Sequence, residues 1–400
     1  MKKLIAVIIA LMLAVFASVF AFAKPTETGT LEPIFCVNPL YEGVVSVKKP
    51  EQKFENGINA YGTTYYTDIA DVGAAAREHL KNRAGTFTVG YKTKDFDGTS
   101  EMFGLICGDI LSYAFMHTGV SDEGDYIQWH WEHYEAGGSY SYNGSYYSIA
   151  ITFYFDYYTT AAQEEAVTEK LEEVYEELQL EDKNDYYKIC AIYDYICDNV
   201  VYDYANLNNE NYKLQYTAYA ALINGTSVCQ GYSNLFYRMA LDWGVDARLI
   251  AGDAGGGHAW NIVKMGDYYY NLDSTWDAGL RPNYMWFLKC PDTFVNHYRD
   301  YEYETAEFHA AYPMGATDYV YNESDFEEGT VLGDINGDAE QTVEDVYMIR
   351  LAVAKLRALT EEQKTAADLD GDGKITAIDA NILRKYILGI IPEIPVAVDD

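Results

Sequence analysis

The pattern of apolar and polar positions changes twice along the chain. From Lys24 to about Thr160, short runs such as GTFTVGYKT and SYYSIAITFYF alternate apolar and polar residues, the period of two that half-buried strands require. Asn143-Gly144 stands between SYSY and the second of these runs and predicts a tight hairpin, since both residues tolerate positive φ. Beyond Thr160 the period lengthens. Val167, Leu171, Val174 and Leu178 form one stripe among glutamates and predict a surface helix; Ile189, Ile192, Ile196 and Val200 predict the next, with Asn184 or Asp185 to cap it. Tyr232, Leu235, Phe236, Met239, Ala240 and Trp243 predict a further amphipathic helix, closed by Gly244. Asn261–Val263 and Tyr268–Leu272 read as strands about a turn at Lys264–Asp267. After about His309 the pattern loosens into a polar, acidic stretch with Pro and Gly, a linker over 311–329.

The tail repeats itself. DINGDAEQTVED (Asp334 to Asp345) recurs thirty-four residues later as DLDGDGKITAID (Asp368 to Asp379), and each copy runs into a helical segment.

The first residues, two lysines, an apolar run and Ala21-Phe22-Ala23, predict a signal peptide over 1–23. No later run reaches the ~18–20 apolar residues that cross a bilayer, so the expectation is a secreted, extracellular protein without membrane insertion. Acidic residues number 62 against 28 basic, a net charge of −34 that repels phosphate backbones and excludes nucleic acid as a partner. Six cysteines in an exported chain invite disulfides, but Cys190 and Cys197 lie on one predicted helix with Cα atoms ~10 Å apart and cannot bridge. Cys36, Cys107 and Cys290 remain free to pair in principle.

Cys229 falls at the N-terminus of its predicted helix, where unpaired N–H groups and the helix dipole stabilise a thiolate. A thiolate nucleophile needs a proton relay. If the following hairpin is symmetric about Met265-Gly266, His258 and Asp273 are cross-strand partners, close enough for the carboxylate to take an imidazole N–H and leave the other ring nitrogen to Cys229. The chemistry is a Cys229 nucleophile, His258 as general base then acid, and Asp273 as orienter, with Trp260 shielding the pair. The Cys229 backbone N–H supplies one oxyanion donor; Gln215, Tyr216 and Tyr219 are candidates for a second.

KICAIYDYICDNVVYD, GTSVCQGYSNLF, GVDARLIAG, HAWNIV and YYYNLDSTW resemble the bacterial transglutaminase-like superfamily. The resemblance implies a papain-like core over 161–310, behind a β-rich α+β region at 24–160, and cysteine-dependent acyl chemistry: a peptidase or amidase acting on a protein or peptide. The alternatives are a protein-glutamine acyltransferase and a non-catalytic binding module.

The tail repeats space oxygen ligands as hard-cation loops do. The first set is Asp334, Asn336, Asp338, the Glu340 carbonyl, Thr342 through water, and Asp345; the second is Asp368, Asp370, Asp372, the Lys374 carbonyl, Thr376 and Asp379. Carboxylates gathered this way call for a cation, and oxygen-only ligands select calcium, two ions in all. Ala339 stands where the second loop has Gly373, which costs the first site ~1 kcal/mol of strain. Without an entering helix, and with Asp in the last position, the duplicated loops resemble a type I dockerin at 330–394. That implies a small all-α calcium-binding module and a cohesin partner on the scaffold of a cellulosome-like polysaccharide-degrading complex, with Arg350 and Arg384 as contact candidates. The fold class expected for the whole is α+β. His130 and His133 lack the HExxH spacing of zinc peptidases, and no transition metal is assigned to them.

Overall fold

The computed structural model describes residues 27–38, 62–181, 183–207, 209, 211–322, 332–336, 340–392 and 394. These fall into two compact units, one up to residue 319 and one from residue 320 on. The predicted signal peptide, residues 323–329 of the predicted linker, Asp338 and Ala339 lie outside the described residues.

The first unit begins with β1 (Glu27–Val37), β2 (Tyr65–Tyr66), α1 (Ile69–Lys81), β3 (Thr86–Thr93), α2 (Ser100–Ala114), the short α3 (Asp125–Gln128), β4 (Trp131–Tyr142) and β5 (Tyr147–Tyr157). Its sheet has the order β1-β4-β5-β3-β2. Alternation explains the packing: Ile149, Ile151, Phe153 and Phe155 point to one face, where they meet Leu80 of α1 and Phe103 and Ile110 of α2 in a single core. Each such large apolar side chain contributes ~1.5–3 kcal/mol by leaving water. The β4–β5 turn falls at Asn143-Gly144 as expected, and the Asn143 side chain accepts the N–H groups of Ser145 and Tyr146 at 3.0 Å each.

The same unit continues through α4 (Ala161–Leu178), α5 (Asp185–Asn199), β6 (Val201–Tyr202), β7 (Thr226–Ser227), α6 (Cys229–Asp242), β8 (Ala247–Asp253), β9 (Gly257–Met265), β10 (Tyr268–Leu272), α7 (Ser274–Asp277), β11 (Tyr298–Arg299) and α8 (Ala306–Ala311). Thr160 and Gln163 form a capping box on α4, and Asn184 caps α5. A second sheet, in the order β10-β9-β8-β11, packs on α6. That helix differs from the amphipathic reading. Its apolar stripe is buried, but so are Gln230, Ser233, Asn234 and Arg238 on the other side. The region before residue 160 covers this polar face: Gln230 donates to the Trp129 carbonyl at 2.8 Å, and Tyr237 to the Glu123 carbonyl at 3.1 Å. No disulfide joins any of the six cysteines, all of which lie among the described residues.

The second unit holds α9 (Val343–Val353), α10 (Glu361–Ala367) and α11 (Ala377–Ile387) around a core that includes Ile335, Ile349, Leu369 and Leu383. Among the described residues, no helix is long and apolar enough to cross a membrane. The α+β class holds for the chain.

Candidate active site

Gly225, in the left-handed region at φ 66°, ends a π-helical turn and turns the chain into β7, which runs parallel to β6. Val228 is the N-cap of α6, so Cys229 is its first helical residue. The loop before the cysteine is anchored through Gln215, whose carbonyl accepts both the Ser227 hydroxyl at 2.6 Å and the Val228 N–H at 3.1 Å. Gly231 leaves no room for a larger residue: a Cβ there would stand 1.8 Å from Ser227 Oγ and 2.7 Å from the Thr217 carbonyl. A hydrogen at this position is what lets α6 start so close to the loop.

The hairpin register differs from the sequence expectation. β9 and β10 are joined by a two-residue turn at Gly266-Asp267, with Gly266 at φ 61°, and Leu272 lies opposite Asn261. The pairing is therefore shifted by two residues, and His258 lies opposite Gly252 of β8, not opposite Asp273. A shift of two preserves the sheet face. Asp273, at the end of β10, thus reaches His258 diagonally, and His258 Nε2 lies 2.8 Å from Asp273 Oδ2. The carboxylate accepts at Nε2, which leaves Nδ1 of the ring for Cys229.

Asp273 is fully buried and accepts at both oxygens. Oδ1 takes the N–H groups of Thr275 and Trp276 at 2.9 and 3.2 Å, capping α7; Oδ2 takes His258 and also His297, whose Nε2 lies 3.0 Å away. Burial alone would raise its pKa, but the two histidines outweigh burial and hold the carboxyl below the usual range. For His258, burial disfavours the charged ring, yet hydrogen bonds to Asp273 and Cys229 prevail and push it up to about 10. The site thus stores its proton on the imidazole.

Trp260 is buried, with its ring centroid 6.1 Å from that of His258, consistent with its expected shielding place. Of the candidate oxyanion donors, Gln215 is buried behind the loop, Tyr219 stands at the start of the π-helical turn, and Tyr216 lies beside Cys229. Tyr202 on β6 also neighbours the thiol: burial first, then Cys229, push its phenol upward. His258 faces a cleft of about 790 Å³ whose wall includes Val201, Tyr202, Tyr204, Leu207 and Trp276. Val201 and Tyr204 are 65% and 77% exposed, so the cleft offers an apolar rim to a ligand.

Sequence reasoning missed three contributions. Trp129 packs in the same apolar cluster as Cys229 and Trp260. Asp125 holds Arg248 of β8 through two hydrogen bonds of 2.7 and 2.8 Å and also accepts the Leu249 N–H. His297 comes from an irregular segment with no period to flag it. The WHWEH stretch is otherwise structural: His130 is fully buried, where desolvation pushes its pKa down to about 4, and His133 pairs with Asp156 at 2.8 Å.

His258, Asp273 and His297 offer three ligand-type atoms near one another. Their contacts of 2.8 and 3.0 Å are hydrogen-bond distances, shorter than the ~3.3 Å separating ligands around a tetrahedral ion with ~2.0 Å bonds. A proton, not a metal, fits between them.

In the second unit, the carboxylates of Asp368, Asp370 and Asp372 lie within 4.8 Å of one another. Asp368 Oδ1 is buried with no hydrogen-bond partner among the described residues, and desolvation and the facing carboxylates of Asp379, Asp372 and Asp368 push the pKa of Asp370 up. These residues fit a divalent cation. The last carboxylate of each loop does a second job: Asp345 and Asp379 accept from Thr342 and Thr376 in capping boxes, and from the N–H groups of Ile335 and Leu369 at 2.8 and 2.9 Å. Asp334, Asn336 and Glu340 belong to the first loop, and Lys374 to the second. Asp338 is outside the described residues.

Residues 172–274 match the family model of the transglutaminase-like superfamily, and residues 332–388 that of the dockerin type I domain. Kyphoscoliosis peptidase of Mus musculus is 26% identical over 170 residues, covering 36% of this chain and 26% of that protein. Kyphoscoliosis peptidase of Homo sapiens is 27% identical over 154 residues, covering 32% and 23% respectively. The chain thus spans about a quarter of the length of these curated relatives. A solved structure, the crystal structure of a TGase, aligns over 54% of this chain and 60% of its own, with 15% identity and a TM-score of 0.27.

Proposed function

Because the chain carries a transglutaminase-like domain and a type I dockerin, we propose that it is a secreted cysteine peptidase or amidase, attached through its dockerin to a cohesin on a polysaccharide-degrading scaffold. The observation that carries this reading is His258, held by Asp273 at 2.8 Å and close enough to Cys229 for the thiol to raise its pKa, with the sulfur at the tip of a buried helix.

The Cys229 thiolate attacks the carbonyl carbon of an amide lying in the cleft, and the carbonyl electrons move to oxygen. The Cys229 N–H and a neighbouring phenol, Tyr216 or Tyr202, donate to that oxyanion. The His258 imidazolium gives its Nδ1 proton to the leaving nitrogen as the C–N bond breaks, leaving a thioester. Neutral His258 then takes a proton from water, whose hydroxyl adds to the thioester; collapse releases the acid and returns the thiolate–imidazolium pair. Asp273 keeps Nε2 protonated throughout and fixes the ring plane. Hydrolysis rather than acyl transfer is favoured by the name of the curated relatives, which are peptidases.

In the dockerin, Asp368, Asp370, Asp372, the Lys374 carbonyl, Thr376 and Asp379 would hold one calcium, and the equivalent first loop a second; the ion supplies the charge that lets the carboxylates stay together. The chemical reading is tested by incubating wild type and Cys229→Ala with a peptide library and a labelled primary amine. Cleavage by wild type alone supports it; amine incorporation without cleavage would replace it with acyl transfer.

A further inference from the structure

His297 shares Oδ2 of Asp273 with His258, and its surroundings define its charge. Its side chain is fully buried. Nε2 lies 3.0 Å from Asp273 Oδ2 and Nδ1 lies 3.1 Å from the Val295 carbonyl. Both partners are acceptors. A neutral imidazole has one N–H and one lone pair, so either tautomer would point a lone pair at an oxygen inside a buried site. Only the doubly protonated ring satisfies both contacts.

The ring's other neighbours suit a cation. Phe294, Trp276, Trp286 and Trp260 surround it with centroid distances of 4.0, 4.5, 5.0 and 5.2 Å, an aromatic cage whose π electrons favour positive charge. The titratable groups nearest it are Asp273 and His258, the latter with its ring centroid at 5.5 Å. Across a cavity of about 340 Å³ that His297 helps to line stand Arg299, Glu304 and His309.

We propose that His297 is a positioning residue held as an imidazolium, completing a four-membered chain Cys229–His258–Asp273–His297 in which it neutralises Asp273 and restrains the basicity of His258. The inference rests on the catalytic reading of the first three residues. Its physical value is balance. An uncompensated buried Asp273 would hold the His258 proton so tightly that neither delivery to the leaving nitrogen nor removal of a proton from water would be easy near neutral pH. A fixed positive charge on the shared oxygen weakens that grip while the hydrogen bond keeps the carboxylate in place.

The test is nitrogen-resolved NMR of the histidine rings in the intact wild-type protein from pH 5 to about 11, a window that spans the His258 titration, joined to the pH profile of Cys229 alkylation by iodoacetamide. The expected spectrum shows both His297 nitrogens protonated at pH 7. In His297→Gln, which keeps one N–H for Asp273 but loses the charge, the His258 titration moves upward by about one unit. A singly protonated His297 ring at pH 7 overturns the proposal, as does a His297→Gln variant that melts earlier but leaves the His258 titration in place. If that variant does not fold, the wild-type spectrum alone decides. Failure of the catalytic reading is a separate result: Cys229 alkylating at the rate of a free thiol, whatever the protonation of His297.

Discussion

Asp273 and Asp368 are both acids withdrawn from solvent, yet they are balanced in opposite ways. Around Asp273 the chain supplies every partner itself, two backbone N–H groups and two imidazoles. Around Asp368 it supplies more negative charge, from Asp370 and Asp372, and leaves Oδ1 without a hydrogen bond. The first carboxylate is complete within the fold and holds two imidazoles in place. The second is incomplete without a cation, so its geometry depends on what the surrounding solution contains.

The largest effect that sharpens this contrast is loss of the nucleophile. Cys229→Ala is expected to lower the rate of peptide cleavage by at least ~10⁴-fold while melting within a few degrees of wild type, as read by parallel kinetics and calorimetry. Asp273→Asn comes next. The amide cannot hold Nε2 protonated in the same way, and kcat/KM is expected to fall by ~10³ to 10⁴-fold with little change in KM. On the other side of the comparison, Asp368→Ala removes the unpartnered acceptor, and calcium affinity at the second loop is expected to drop at least ~10-fold by isothermal titration, with no effect on cleavage by the first unit.

The raised pKa of His258 makes a prediction about stability whose sign is definite. The folded state binds this proton more tightly than the unfolded chain, so the stabilisation is complete below the unfolded value of ~6.5 and is lost as pH rises toward about 10. Melting temperature should therefore decline over that window, and His258→Gln should remove this part of the decline; an unchanged slope in the variant would contradict the assignment. The smallest effect is Thr376→Ala, which deletes the cap of α11 and should cost the second unit about 1 kcal/mol in urea titrations performed with calcium absent.

What was legible in the chain follows the range of the interactions involved. The cap at Asn184, the hairpin at Asn143-Gly144, the helix after Cys229 and the duplicated acidic loops are written in neighbouring residues, and local chemistry decides them. The β9–β10 register was misread because KMGD admits both a four-residue and a two-residue turn, and only the packing of β9 against α6 and β8 selects between them. The expected contact between His258 and Asp273 survived the error because two residues is a whole period of the strand. His297 and Trp129 could not be found that way. They lie far from Cys229 in sequence, on segments without periodicity, and reach the site through tertiary packing alone.

One hydrogen bond, from Gln230 to the Trp129 carbonyl, bears on how such a chain can be taken apart and recombined. Gln230, the residue next to Cys229, leans on backbone contributed by the first third of the polypeptide, so excising residues 161–319 on their own would strip away the carbonyl that seats it. A cut near residue 320, where the chain divides into its two compact units, leaves that support in place.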